Sequence, residues 1–425
     1  MAGMAASLFA AGRGLSCIQI GNGGGILFAS GLLDLLGVHP VASRRVWPSP
    51  WEGLRSLAAD RPDHPLARIG EASVRAALDA FVAALGDAGL PYAPLGEENR
   101  TVLTSIGTAK PTYGVPRSMH AGVDALRERA PCLLVDFRGL REFGARQIVA
   151  TVGSAWPGLR SVRVEFPGFE AVPELYAAHL ARVLEEAGPR ERTIGLVKPL
   201  LGDACAVGFP AVLGLGRSGR VHAAFEAALG LPVFEVPTMP TSVPGLRLKA
   251  ALEGAVASRG VERRLRAAVG SVTFGGECEG GGPAPGTASL QLGGPSGGER
   301  VVARAVVLAT GRFAGRGLVA GRDRIREGIL GLPVEQPASR ESWHRREFLD
   351  AQGHEVNRAG LLADEAFRPL DATGKPRWPG LFAVGSILAH QDWMREKCGS
   401  GLAIATAWAA ADNAARHVRG GGGAA

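Results

Sequence analysis

Val306-Val307-Leu308-Ala309-Thr310-Gly311 decides how this 425-residue chain is read. A continuous apolar run that stops on a turn residue suits a short parallel strand covered on both faces. Gly311 can take positive φ and let the backbone approach a bulky group. A second run of the same kind, Gly380-Leu381-Phe382-Ala383-Val384-Gly385-Ser386, stands near the far end. The glycine-started, Ala-rich helix Gly399 to Val418 follows it. At the near end, Met4, Leu8 and Ala11 recur at helical spacing within Met1 to Arg13, and Gly12 and Gly14 close that helix. Leu15 to Ile20 then reads as a strand. Helix followed by strand is the second half of a βαβ nucleotide unit.

Strand-Ala-Thr-Gly resembles the second signature of two-dinucleotide-binding-domain flavoproteins, and GLFAVGS followed by a glycine-rich helix start resembles the third. The third signature usually ends in Gly-Asp; here Ser386 stands in place of the acid. Gly3 resembles the third glycine of a G-x-G-x-x-G fingerprint, so the sequence begins inside that fingerprint, without its first strand and first glycines. A start site set too late and a genuine variant with a weakened nucleotide site both account for this. Ser30-Gly31 matches an element that dips toward a flavin ring. The resemblance implies cofactor contacts at Gly3, Ser30, Gly31, Thr310, Gly311, Gly385, Ser386, Gly399 and Gly401, the helix start at Gly399 aiming its amides at the flavin. The expected fold is α/β: a Rossmann-like nucleotide domain from residues 1–45 and 245–425, with an inserted α/β domain over 46–244.

Between these pieces, Ala72 to Leu85 and Glu174 to Ala187 read as helices, and Cys132 to Phe137 and Thr193 to Pro199 as buried strands. Thr101 to Met119 reads as a sheet edge or a ligand-facing loop. Leu231 to Leu248 holds four prolines and should be extended. Pro244 to Ser258 is the return helix, and the tract from Gly275 to Gly298 reads as a flexible hairpin.

The longer stretches resemble one family, the B subunit of anaerobic glycerol-3-phosphate dehydrogenase. The similarity rests on LFASGLLDLLG (27–37), His64-Pro65-Leu66, SIGTAKPT (105–112), VDFRGL (135–140), PTMPTSVPGLRL (237–248) and LFAVGSILAHQD with CGSG (381–401). VLATGRFAGRGLVAGRDRIREGILGLPV (307–334) is its most specific block. The resemblance implies a flavin-containing subunit working with an FAD-bearing A subunit and an iron–sulfur C subunit that anchors the complex at the inner face of the cytoplasmic membrane. That complex oxidises sn-glycerol 3-phosphate to glycerone phosphate and passes electrons to quinone. FMN is the cofactor usually assigned, with FAD the close alternative. Ile20 ends the second strand where an acid commonly meets a ribose, and that absence, with Ser386, is compatible with FMN. A non-catalytic scaffold with a degenerate flavin site is the other reading, and a fumarate-reductase-like flavin oxidoreductase a minor third.

Composition sets the outer bounds. The chain has 46% hydrophobic and 20% charged residues, 61 glycines and 28 prolines, which fits a globular protein of two domains with many turns. Net charge is +7 with the arginines dispersed, so no nucleic-acid footprint is drawn. Five isolated cysteines give neither a zinc pattern nor a disulfide framework and read as reduced cytoplasmic thiols. Oxidising a phosphorylated secondary alcohol needs a base and cations for the phosphate. The candidates are His390 and His64 for the base and Lys110, Arg247, Arg312, Arg326 and Arg368 for the phosphate; His390, Arg247 and Arg326 are preferred.

Overall fold

The computed structural model describes residues 1–21, 24–275, 284–293 and 298–420. The chain divides into two compact units, one of Met1–Gly25, Asp34–Phe81 and Glu253–Ala425, the other of Ile26–Leu33 and Val82–Leu252. Residues 46–81 thus cluster with the nucleotide-type unit.

In the first unit, helix Ala2–Gly12 lies against helix Gly399–Gly420. The second buries mostly alanine, Ala403, Ala407, Ala410 and Ala411 among them, and the first buries Ala5 and Ala6 beside Met4, Leu8 and Phe9. Phe9 closes one end edge-on to Trp408, with centroids 4.9 Å apart, and Arg13 lies over the same indole. The first helix also packs against two strands, Ile18–Ile20 and Val306–Leu308. Ile18–Ile20 pairs in parallel with Glu262–Arg264, and Val306–Leu308 with Leu381–Ala383. Among the described residues neither has a strand on its other side. Against expectation, Val306 and Val307 are only half-buried, whereas Leu381, Phe382 and Ala383 are fully covered. A three-stranded antiparallel sheet of Ala268–Phe274, Ala288–Gly293 and Arg300–Ala303 stands where a hairpin was expected; residues 276–283 and 294–297 of that tract lie outside the described residues.

The second unit is built on a parallel sheet in the order Leu159–Val164, Cys132–Phe137, Ala206–Pro210, Val233–Val236. All six residues of Cys132–Phe137 are buried, as an apolar run in a doubly covered sheet should be. Gly122 of helix Arg117–Glu128 lets that helix seat on the sheet, since a Cβ there would lie 2.6 Å from the Phe234 ring. Thr193 to Pro199 is not a strand. It falls in helix Ala187–Val197, whose Thr193, Ile194 and Val197 are buried at helical spacing, with the Thr193 hydroxyl donating to the Pro189 carbonyl. Of the proline-rich Leu231 to Leu248, only Val233–Val236 is extended. A helix begins at Val243 with Pro244 in its first turn, where the missing amide costs nothing. Among the described residues no helix is long and apolar enough to cross a membrane.

Candidate functional site

Parallel pairing brings the carboxyl ends of Val306–Leu308 and Leu381–Ala383 to one place, with the Val384 amide donating to the Leu308 carbonyl. Each strand then turns on a glycine in the left-handed region, Gly311 at φ +67° and Gly385 at φ +73°. A Cβ on Gly311 would lie 3.8 Å from the Ser386 hydroxyl. One on Gly385 would lie 2.7 Å from the Ala2 side chain, at the start of the first helix. Gly3, one residue on, would carry its Cβ 3.3 Å from that of Ala309. The Gly385 amide donates to the Thr406 hydroxyl, which donates to Leu402, tying this turn to helix Gly399–Gly420. Past Gly311 the chain folds back so tightly that a side chain at Gly315 or Gly317 would run into the Thr310 and Gly311 carbonyls.

Two polar groups in this cradle lack partners. The Thr310 hydroxyl is buried without a hydrogen bond, and so is Nε of Arg312. The other two Arg312 nitrogens donate to the carbonyls of Val356 and Asn357. Burial pushes its pKa down to about 10, against the pull of Asp392. Orphaned buried donors are rare and ask for a ligand. A glycine-lined cradle between strand ends and a helix N-terminus, with an orphaned hydroxyl and a cation short of one acceptor, fits the anionic part of a flavin nucleotide.

The other cofactor positions are less direct. The Gly401 amide donates to the Asp34 carbonyl at 2.7 Å, and a Cβ at that glycine would strike Leu35. Gly399 sits against the Trp393 ring. The first turn of that helix is therefore partly spent on its own unit. Ser30 and Gly31 belong to the second unit, where Gly31 packs between Pro116 and Pro244 and its carbonyl accepts from the Tyr92 hydroxyl.

Four residues beyond Ser386, His390 lines a cavity of about 720 Å³ within the first unit. Its wall also carries His39, Asp60, Arg61, Glu335, Glu355 and Arg358. His390 is itself left-handed, at φ +66°. Its Nδ1 is 3.0 Å from Oδ2 of Asp63, and its side chain is 26% exposed. Burial lowers its pKa; Asp63 and Glu335 oppose this, while Arg61 and Arg68 add to it. Across the cavity wall, Nε2 of His39 meets Asp60 at 2.9 Å.

The remaining candidates part ways. Arg247 is 4% exposed in the second unit, and its guanidinium is saturated. It donates twice to Glu235, at 2.5 and 2.9 Å, and twice to the Gly214 carbonyl. Burial works to raise the Glu235 pKa, but Arg247 beside it prevails and holds it low. All three Arg247 nitrogens are thus engaged by Glu235 and Gly214 in the second unit, which sets this arginine apart from the expected role on phosphate. Arg326 projects from the hairpin of Leu318–Ala320 and Ile325–Glu327, exposed and without an ion-pair partner among the described residues. Arg368 is paired with Asp364 at 2.6 Å, and Lys110 is half-buried in the second unit.

His64 is not a free base either. It is fully buried, its Nδ1 accepts from the Leu66 amide, and its Nε2 faces Glu396 at 3.3 Å. Accepting at Nδ1 puts the proton on Nε2, so that nitrogen donates to Glu396. The same carboxylate oxygen accepts from the Asp392 amide and the Cys398 thiol. His64, Glu396 and Cys398 are close enough to hold a metal ion. Without an ion, Nε2 carries its proton toward Glu396, and burial first and Glu396 next push the Cys398 thiol well above its ordinary pKa. The cluster is a hydrogen-bonded staple between residues 64 and 396. Sequence reading passed over Asp63 and Arg61, although Arg61-Pro62-Asp63-His64 packs charge beside the quoted His-Pro-Leu motif.

Comparison with known proteins bears on this geometry. Residues 1–402 match the family described as FAD binding domain. Among solved structures, 3-ketosteroid Δ1-dehydrogenase from Sterolibacterium denitrificans, in complex with 1,4-androstadiene-3,17-dione, aligns over 99% of this chain and 98% of its own with 14% identity and a TM-score of 0.44. A probable B subunit of anaerobic glycerol-3-phosphate dehydrogenase from Halobacterium salinarum is 34% identical over 412 residues, 92% of this chain and 90% of its own. The B subunit of anaerobic glycerol-3-phosphate dehydrogenase from Vibrio cholerae serotype O1 is 29% identical over 430 residues, 97% of this chain and 94% of its own. With a flavoprotein α/β fold and relatives of this closeness along its length, the chain belongs to the family of anaerobic glycerol-3-phosphate dehydrogenase B subunits.

Proposed function

We propose that this chain is the flavin-binding B subunit of a multi-subunit glycerol-3-phosphate dehydrogenase, oxidising sn-glycerol 3-phosphate to glycerone phosphate. The observation that carries the reading is the cradle at Thr310–Gly311 and Gly385–Ser386, with its unpartnered Thr310 hydroxyl and Arg312 Nε. The sequence put FMN first. The match to an FAD binding domain across residues 1–402 reverses that order, and FAD is the cofactor proposed. Bound there, a flavin supplies a two-electron acceptor for the hydride of a secondary alcohol. The chain contributes the cradle, a half-buried histidine, His390, to take the hydroxyl proton, and Arg358 on the same cavity to attract a phosphate.

An FAD-bearing A subunit and an iron–sulfur C subunit passing electrons to quinone at the membrane belong to the same proposal. They rest on the family resemblance and on the relatives' being named as one subunit of a larger dehydrogenase. A scaffold without a working flavin is the competing reading. The test is to purify the complex, separate this chain from the A subunit without denaturing it, and then identify by chromatography the flavin this chain alone releases on denaturation. Released FAD that is bleached anaerobically by sn-glycerol 3-phosphate before denaturation is the expected result. A folded chain that releases no flavin overturns the redox reading and leaves the scaffold.

A further inference from the structure

His390 is held from three sides. Its amide donates to the Arg358 carbonyl at 2.9 Å, and its own carbonyl accepts from Nη2 of Arg61 at 3.0 Å. Its ring nitrogen Nδ1 lies 3.0 Å from Asp63 Oδ2. Arg61 also reaches Asp63, with Nε 3.4 Å from Oδ1, so one guanidinium fixes both the backbone of the histidine and the carboxylate behind its ring. His390 lines both the 720 Å³ cavity and a small recess whose wall also carries Asp63 and Arg68. Nε2 has no partner among the described residues. A cavity-lining histidine with a carboxylate beside one ring nitrogen and no partner on the other can be held as a general base.

We propose that Asp63 is the positioning residue for His390: it keeps the ring proton on Nδ1 and so leaves the Nε2 lone pair to take the hydroxyl proton of the substrate alcohol in this cavity. This deepens the dehydrogenase reading and rests on it. The balance is simple. The O–H bond breaks, its proton goes to Nε2 and the carbon–oxygen double bond forms; a flavin held in the cradle would be the acceptor for the C–H hydride. Arg61 acts one step further back, locking Asp63 and the left-handed backbone of His390 together. The charged groups that face the ring are Asp63, Glu335 from the short strand Val334–Glu335, Arg61, and Arg68 from the turn Pro65–Arg68. Of these, Asp63 is the one in direct contact with the ring, at 3.0 Å.

The experiment uses the assembled complex with Asp63→Asn, Asp63→Glu and His390→Gln. Histidine side-chain nitrogen resonances are recorded against pH, with His390 assigned by its loss in His390→Gln, alongside the pH profile of flavin bleaching by sn-glycerol 3-phosphate. Wild type should show Nδ1 protonated in the neutral ring. Removing the negative charge in Asp63→Asn destabilises the protonated ring, so its titration and the acid limb of the rate profile should both move down by about one pH unit. The plateau rate should fall about tenfold. Asp63→Glu, which keeps the charge, should restore the titration even if Asp63→Asn proves poorly folded. A wild-type ring protonated on Nε2, or an unchanged titration in a folded Asp63→Asn, overturns the proposal. A titration that behaves as expected in a complex that sn-glycerol 3-phosphate never bleaches would instead refute the substrate reading and leave the dyad standing.

Discussion

Replacing Arg247 with methionine separates two accounts of that residue. In the structure its guanidinium is shut from solvent and bound by Glu235 and the Gly214 carbonyl. At about 3 Å and an effective dielectric of about 20, two unit charges attract by about 5.5 kcal/mol, much of it offset by the desolvation of both. The larger effect is what truncation leaves behind: a buried carboxylate still hydrogen-bonded by the Leu213 amide but with no counter-ion. Breaking a buried pair from one side costs about 3–5 kcal/mol, while replacing both partners with apolar residues of similar volume is often neutral. Arg247→Met should therefore lose about 3–5 kcal/mol in urea unfolding monitored by circular dichroism, and Arg247→Met with Glu235→Leu should recover most of it. Were Arg247 a phosphate ligand instead, the single variant would unfold like wild type and raise KM for sn-glycerol 3-phosphate. A loss under about 1 kcal/mol, or no recovery in the double variant, refutes the structural assignment.

Thr310→Val removes an unpartnered buried hydroxyl, so apo stability should hold or rise slightly while flavin retention through gel filtration falls. Gly385→Ala adds a Cβ that would lie 2.7 Å from the Ala2 side chain, at φ +73°; thermal melts should show about 1–3 kcal/mol of destabilisation and purified protein should lose its flavin. Burial works to raise the Glu396 pKa, but the donors around it, His64 first, keep it below the ordinary 4.5. Its contribution is thus present above pH 4.5 and is lost as pH falls below that value, so Glu396→Gln should lower stability at neutral pH and flatten its decline below pH 4.5 in acid titration. Iodoacetamide at about pH 8 should label exposed Cys205 in the native protein and spare buried Cys398, as mass spectrometry of the digest would show.

Local pattern carried the fold wherever one physical cause dominated. Cys132 to Phe137 could only be buried on both faces, and the alanine-rich ends of the chain could only be packed helices. Thr193 to Pro199 failed because β-branched residues favour strands only when nothing else decides, and here Thr193, Ile194 and Val197 bury one face of a helix. Leu231 to Leu248 is not extended throughout because proline forbids a helix interior but not a helix start, and Pro244 falls in the first turn.

The site was legible in one respect and opaque in another. Strand-Thr-Gly and strand-Gly-Ser can be read from sequence because a glycine must stand where the chain turns left-handed, and both turns are left-handed here. The roles of charged residues cannot be read that way, since a charge means what faces it. Arg247 faces Glu235 and is structural; Arg312 faces two carbonyls with Nε left over, and is poised. His64 and His390 look alike in the chain, each beside an apolar run. Folding gives His64 an amide on one nitrogen and a carboxylate on the other, and it gives His390 a carboxylate beside one and a place in a cavity wall. A base must keep one nitrogen free, which is why His390 and not His64 is the base proposed.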